Sequence, residues 1–347
     1  MQTFSIGRTV RLVLALWALA TTAASSVWAA PNVHHDRREL EMVLADLIAW
    51  LPGEWNSFPQ VYYERTVTMP PEGEHENWHR TFARIDASQI GDVVFYGQIN
   101  VDGRNGTILG GSQVLYKAWI DEARGVVVIN GQSPADPERF ENLQDKPDLW
   151  SKVKMRDATA VRCDFIWRRD GDHIVGVLDG RVPERQKYGP GTCTYISERA
   201  DAEFFADAEW VLTPEHLWLY DINTMGGRIF QGRDDKTHIR LSRARPYTCR
   251  IHDEDATRVR DGHDRGFAMP VKAGGGQKLE ALLLRADYPA QGPGLTDRMR
   301  LMLSEPTSKQ IVAMTDATPL AKTVALKANG VDVRCTLQKK FGPLLSR

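Results

Sequence analysis

The sequence predicts an all-β protein, an antiparallel barrel or sandwich, on three observations. Short runs rich in β-branched and aromatic residues follow one another closely. Turn dipeptides separate them, notably Asp102-Gly103, Asn105-Gly106 and Arg124-Gly125. Helical periodicity is sparse, which disfavours an α/β fold.

Taken in order, residues 1–30 read as a cleaved secretory signal outside the fold. Arg8 and Arg11 precede the apolar run 12–20, and small residues end at Ala29-Ala30. That run is too short for a comfortable membrane span; an uncleaved anchor is the alternative. The expected location is periplasmic or secreted, with no stable membrane span after cleavage. From Arg37 to Trp50, Leu40, Val43, Leu44, Leu47 and Ile48 fall at helical spacing, and Pro52-Gly53 stops the helix. The run 61–69 reads as a strand ended by Pro70-Pro71.

Further strands are predicted at 78–85, 93–101, 113–120 and 126–129, then at 160–168, 173–178 and 192–197. Residues 133–151 read as a polar surface excursion with a short helix. The runs Glu209-Trp210-Val211-Leu212 and Leu217-Trp218-Leu219-Tyr220 flank Thr213-Pro214-Glu215-His216. Pro214 presets φ for the second turn position, so this reads as a hairpin closed by a type I turn. A strand at 237–243 follows. The charge-dense stretch 253–265 reads as a solvated linker, and strand-like runs recur at 278–285, 299–303 and 311–314. The last two strands, 323–328 and 331–337, meet at the hairpin dipeptide Asn329-Gly330. The domain reading is a barrel over 31–252 and a linker with a smaller C-terminal β module over 253–347.

With 44 Lys and Arg against 45 Asp and Glu, the net charge of -1 leaves no basic surplus for phosphates, so nucleic acid is excluded as a partner. The four cysteines, Cys163, Cys193, Cys249 and Cys335, suit disulfides in an exported chain. They allow three connectivities. Pairing Cys163 with Cys193 and Cys249 with Cys335 ties segments that the domain reading already places together.

Few motifs carry chemistry. His75-Glu76-Asn77-Trp78-His79 matches the zinc-protease pattern, which needs a helix to put both histidines on one face. Here prolines precede it and strand-like residues follow. On a strand, positions four apart lie about 13 Å apart, so no metal is expected and a polar hairpin loop is the reading. His34-His35 reads as a frayed terminus and Asn105-Gly106-Thr107 as a turn before a glycosylation sequon. No Gly-x-Ser-x-Gly, Walker loop, dinucleotide glycine pattern or paired CxxC occurs, so no catalytic residue is assigned. Aromatic residues crowd the first half, among them Trp55, Tyr62, Phe95, Tyr96 and Tyr116. They either fill a barrel or line a pocket for a flat ligand.

One ordered set of features goes further. Leu44-x-x-Leu47-x-x-Trp50-Leu51, then 62–71, Gln98, Cys163 and Gly191-x-Cys193 are followed by Leu212-Thr213-x-x-x-Leu217-x-x-x-Asp221 and the glycines 226, 227 and 232. Over about residues 44–247 this resembles the CpcT/CpeT family of chromophore (phycobiliprotein) lyases. The resemblance implies a calycin- or lipocalin-like antiparallel barrel with an N-terminal helix. It implies capture of an open-chain tetrapyrrole (bilin) and its presentation to a cysteine of an acceptor protein, with no cofactor required. Gly97 stands where the family has glutamate, and Ile222-Asn223-Thr224 stands where it has an arginine-rich run. The ligand set implied is Tyr62, Gln98, Asp221 and Arg228, with Arg228 or Arg233 as the stand-in for the missing arginines. The alternative is a non-catalytic periplasmic carrier or scaffold for an apolar ligand or a protein partner.

Overall fold

The computed structural model describes residues 37–67, 70, 73–156, 163–179, 192–197, 201–290 and 293–339. The secretory-signal segment, His34-His35 and Gly191 lie outside these residues. In chain order the first strands are β1 (Gly53–Asn56), β2 (Trp78–Arg84), β3 (Val93–Val101), β4 (Thr107–Ile108), β5 (Val114–Asp121), β6 (Val126–Gln132), β7 (Asp164–Asp170), β8 (His173–Asp179), β9 (Thr192–Ser197), β10 (Ala202–Leu212), β11 (His216–Met225), β12 (Arg228–Gln231) and β13 (Ile239–Ala244). Ten of them close into an antiparallel barrel in the order β1-β2-β3-β5-β6-β7-β8-β10-β11-β13, with β13 returning to β1. β4, β9 and β12 pair outside the ring, on β3, β10 and β11.

Period-two alternation decides what fills this barrel. Trp55, Phe82, Phe95, Tyr116, Trp167 and Trp210 all join one buried cluster. The close packing of aromatics depends on missing Cβ atoms. A Cβ on Gly97 or Gly131 would stand 2.8 or 3.0 Å from the Tyr116 ring, and one on Gly176 would stand 2.5 Å from the Trp167 ring. Glycine in these strands therefore makes room for a large neighbour rather than for a bend.

The helix α1 (Arg37–Trp50) closes one end. Its Leu40, Val43 and Leu47, with Leu51 just after it, belong to the lumen cluster. Arg37 donates to Glu122 on the β5–β6 turn (2.5 Å), and Arg169 pairs with Asp46. Arg243 lies over the Trp55 ring at 4.1 Å and donates to the carbonyls of Trp50, Pro52 and Pro214, so it satisfies orphan groups at the helix C-terminus. Thr213 joins β10 to β11 at this same end, its hydroxyl accepting from the backbone of Glu215 (3.3 Å) and His216 (2.9 Å).

Two sequence readings need correction. The stretch 61–69 is not a strand; α2 (Phe58–Thr66) is a helix. Asn56 Oδ1 accepts from Phe58 N (2.7 Å) and Pro59 sits in the first turn, which starts the helix against the β preference of Val61-Tyr62-Tyr63. The stretch 253–265 is not a linker: β15 (Thr257–His263) lies within it. Its charges sit on the edge strand of a sheet, where they block further strand pairing. The 133–151 excursion does lie on the surface, with 3-10 helices at Leu143–Asp145 and Pro147–Lys152; its Phe140 and Leu143, with Val153 just after it, are buried against the outer barrel wall.

The described residues after β13 form two four-stranded antiparallel sheets. One is β15-β14-β21-β20, from β14 (Pro246–His252), β20 (Thr323–Ala328) and β21 (Val331–Leu337); the other is β16-β17-β18-β19, from β16 (Arg265–Lys272), β17 (Lys278–Pro289), β18 (Leu295–Ser304) and β19 (Ile311–Ala317). Their apolar faces share one core that includes Tyr247, Leu283, Leu301 and Val333. Asn329 (φ 51°) and Gly330 (φ 76°) both take the left-handed conformation expected of the β20–β21 turn. Where barrel and sandwich meet, Asp264 accepts from Arg245 Nε (2.6 Å) and from Arg245 N (2.8 Å), and both side chains are buried.

Both disulfides join the predicted partners. Cys163–Cys193 links the approach to β7 with β9 (Cα–Cα 5.9 Å), and Cys249–Cys335 links facing residues of β14 and β21 (Cα–Cα 3.9 Å). Among the described residues no helix is long and apolar enough to cross a membrane.

Candidate ligand site in the barrel lumen

In the half of the lumen away from α1, the packing changes character. On β2, Trp78 and Phe82 face inward, so Arg80 between them does too. It is only 7% exposed, and its guanidinium carbon lies 4.9 Å from the ring of Trp210, 5.5 Å from Phe82 and 5.9 Å from Trp78. β2 and β10 are not neighbours in the ring, so Arg80 reaches across the lumen to Trp210. Among the described residues, its buried Nη1 has no hydrogen-bond partner and no carboxylate stands within ion-pair distance. An arginine stays charged even where burial lowers its pKa, as it does here. The lumen therefore holds a desolvated cation set against aromatic faces, with Asp221 near enough to favour its charge.

Trp210 is the hub of the aromatic wall. Its ring lies 5.0 Å from Phe165, 6.0 Å from Phe82 and from Tyr116, and 6.3 Å from Trp167. The indole Nε1 of Trp210 and that of Trp167 are both buried without a hydrogen-bond acceptor among the described residues. Three buried donors thus go unpaired around the Trp210 ring among the described residues, and each unmade hydrogen bond costs about 1–3 kcal/mol.

Asp221 supplies the one acid of the group. On β11 it continues the inward row of Leu217 and Leu219, is half-buried, and accepts from Asn223 Nδ2 at 3.0 Å. Burial raises its pKa, while Arg80 and the Asn223 hydrogen bond act in the other direction. Arg80 and Asp221 favour each other's charge without forming a salt bridge. A flat, apolar molecule with carboxylate or carbonyl oxygens matches aromatic walls, a cation and two indole donors.

The residues singled out from sequence do not converge on this site. Asp221 lies in it. Gln98 faces outward because Gly97 and Ile99 face inward; it accepts from Tyr96 Oη (2.8 Å) and Asn142 N (2.9 Å), donates to Asn100 (3.0 Å) and Asn142 Oδ1 (2.9 Å), and so anchors the 133–151 excursion. Tyr62 lies on α2 with its ring 6.3 Å from Tyr288 and its hydroxyl 3.8 Å from Met302 Sδ, against the sandwich. Arg228 is exposed on β12. Arg80 is the residue that sequence reading missed. The signal was the alternation Trp78-x-Arg80-x-Phe82, which puts a lone cation on an apolar face.

The H-E-x-x-H segment builds no metal centre. His75 Nδ1 meets Glu64 of α2 at 2.6 Å, whereas His79 points outward from β2 and stacks on His263 at 5.0 Å. Among the described residues no cluster of three or more metal-ligating side chains occurs.

No family model matches the chain, and no curated protein matches it. Among solved structures, the SeMet CRL protein of Arabidopsis is similar to it at 12% identity with a TM-score of 0.41, over 59% of this chain and 99% of that one.

Proposed function

We propose that this chain is a ligand-binding barrel that captures a flat, acidic, largely apolar molecule in the lumen half lined by Arg80, Trp210 and Asp221, and that an open-chain tetrapyrrole is the ligand class. The observation that carries this reading is the buried Arg80 guanidinium, whose Nη1 has no hydrogen-bond partner and which meets no acid within ion-pair distance among the described residues. A bilin propionate supplies that acid, its terminal carbonyls accept from indole donors, and its conjugated rings stack on Trp210. In the CpcT/CpeT reading, the barrel then presents the bilin to a cysteine of an acceptor protein. Its part in that addition is orientation and shielding from water.

The non-catalytic carrier is the second reading, and the packing favours it at one point. The face of α1 packs into the same buried cluster as the aromatic side chains, which closes that end of the lumen to a ligand. Absorbance titration of the full chain with biliverdin, phycocyanobilin and haem tests the shared claim. A saturable red shift with a bilin supports capture, and no spectral change with any of the three removes it. Adding a cysteine-bearing acceptor separates the readings: acid-stable colour on the acceptor supports the lyase, and colour that stays with the barrel supports the carrier.

A further inference from the structure

On the outer wall of the barrel, the turn before β3 and the returning end of the 133–155 excursion enclose a groove of about 540 Å3, within the range of small-molecule sites. Its floor comes from β5, where Tyr116 and Ala118 face inward and Lys117 and Trp119 face out. The Lys117 stem lies along Gly91, where a Cβ would stand 3.0–3.3 Å from three of its carbons. That contact holds the ammonium near Trp119, 5.8 Å from its ring centroid. Lys154 lines the opposite wall.

The charge in this groove is one-sided. Among the described residues, neither Lys117 nor Lys154 forms an ion pair and no acidic side chain lines the groove. Lys152 and Arg156, both exposed, flank Lys154 in the chain and add to the positive potential. This local surplus stands out in a chain whose net charge is -1. Asp164, which accepts from Asn130 of the groove at 3.0 Å, faces Arg124 at 3.5 Å. The walls are also held: Gln89 Nε2 donates to the carbonyls of Trp150 (3.0 Å) and Val153 (2.9 Å), stitching one wall to the other. The groove is thus basic and partly apolar, with its two walls hydrogen-bonded to each other.

We propose that this groove is a second binding site, separate from the lumen, for a small organic anion: its acidic oxygens lie between Lys117 and Lys154, and its ring packs on Trp119. The acidic group is a carboxylate or a phosphate monoester, which share this chemistry.

Calorimetric titration of the full chain at low salt with benzoate, phenyl phosphate and inorganic phosphate tests it. Saturable binding of benzoate or phenyl phosphate is expected, with the tighter of the two identifying the acidic group. Lys117→Gln and Lys154→Gln each weaken that binding by about tenfold, the value of one charge-assisted hydrogen bond, and Trp119→Leu weakens it too. Arg80→Gln leaves it unchanged, which keeps this site distinct from the lumen. Unaltered thermal melting of the lysine variants confirms that they fold. No saturable binding of any probe at millimolar concentration overturns the proposal. So does binding that ignores both lysine substitutions, and inorganic phosphate binding as tightly as phenyl phosphate overturns the part assigned to Trp119.

Discussion

Acid should loosen the joint between barrel and sandwich, and His263 is the group that makes the effect measurable. Its ring is 2% exposed and stacks at 5.0 Å on His79, which is 1% exposed. Its Nδ1 accepts from Arg265 N at 3.1 Å, so protonation there destroys a buried hydrogen bond as well as placing a charge. Burial pushes His263 down from 6.5 to about 4; Asp264 opposes this, and Arg104 and Arg265 add to it. His79 is held well below its usual range by burial and by His263 itself, and its Nε2 lies 3.7 Å from Glu54 of β1. Glu54 in turn pairs with Arg104 at 3.2 Å.

The sign follows from which state binds the proton. Above about 6.5 both folded and unfolded chains keep the ring neutral, and stability is at its full value. Below that, the unfolded chain takes up the proton and the folded chain does not. Stability therefore falls by about 1.4 kcal/mol per pH unit for His263 until the folded ring titrates near 4, a total of about 3 kcal/mol. His79 adds to the slope, and Glu54, whose acid form burial favours, offsets part of it just above 4.5. Urea unfolding of the wild type and His263→Gln at pH 7, 6, 5 and 4.5 reads this out. The wild type should lose stability steeply below pH 6.5 and the variant less steeply. Equal slopes for the two proteins would refute the assignment of the lowered pKa to this joint.

Three further outcomes follow from the packing. Asp264→Ala leaves Arg245 buried and unpaired, and should cost about 3–5 kcal/mol in denaturant unfolding; a loss below 1 kcal/mol contradicts a structural role for the pair. Replacing Cys249 and Cys335 together by serine opens a link with a sequence separation of 86 residues, and should lower stability by about 4–5 kcal/mol on the chain-entropy account. Gly176→Ala drives a methyl into the Trp167 ring and should cost about 1–3 kcal/mol, whereas Gly110→Ala, with open space around it, should leave the thermal midpoint nearly unchanged.

Where strand identity depends on local pattern, the sequence was readable. The strands 93–101, 192–197, 323–328 and 331–337 are bounded as their alternation and turn residues predict, and the 209–220 hairpin closes at Thr213–His216. The cysteine pairs followed from which segments were taken as neighbours. What was not legible depends on distant partners. α2 carries β-favouring residues but is a helix because Glu64 turns inward to accept from His75 N at 2.8 Å, a contact no local pattern announces. β15 looks like a linker because an edge strand needs charges more than it needs apolar residues. The site divides the same way. The rule that sends Gln98 outward and Arg80 inward is simple alternation, available once β2 and β3 are placed. Tyr62 could not be placed by it, since its position is set by packing against the sandwich.

The most direct test of the lumen account is the affinity of the full chain for biliverdin, measured on the wild type, Arg80→Gln and Arg228→Gln. The account predicts saturable binding that weakens at least tenfold in Arg80→Gln, about 1.4 kcal/mol, and is untouched in Arg228→Gln. Binding that survives loss of Arg80, or that depends on Arg228 instead, would contradict it.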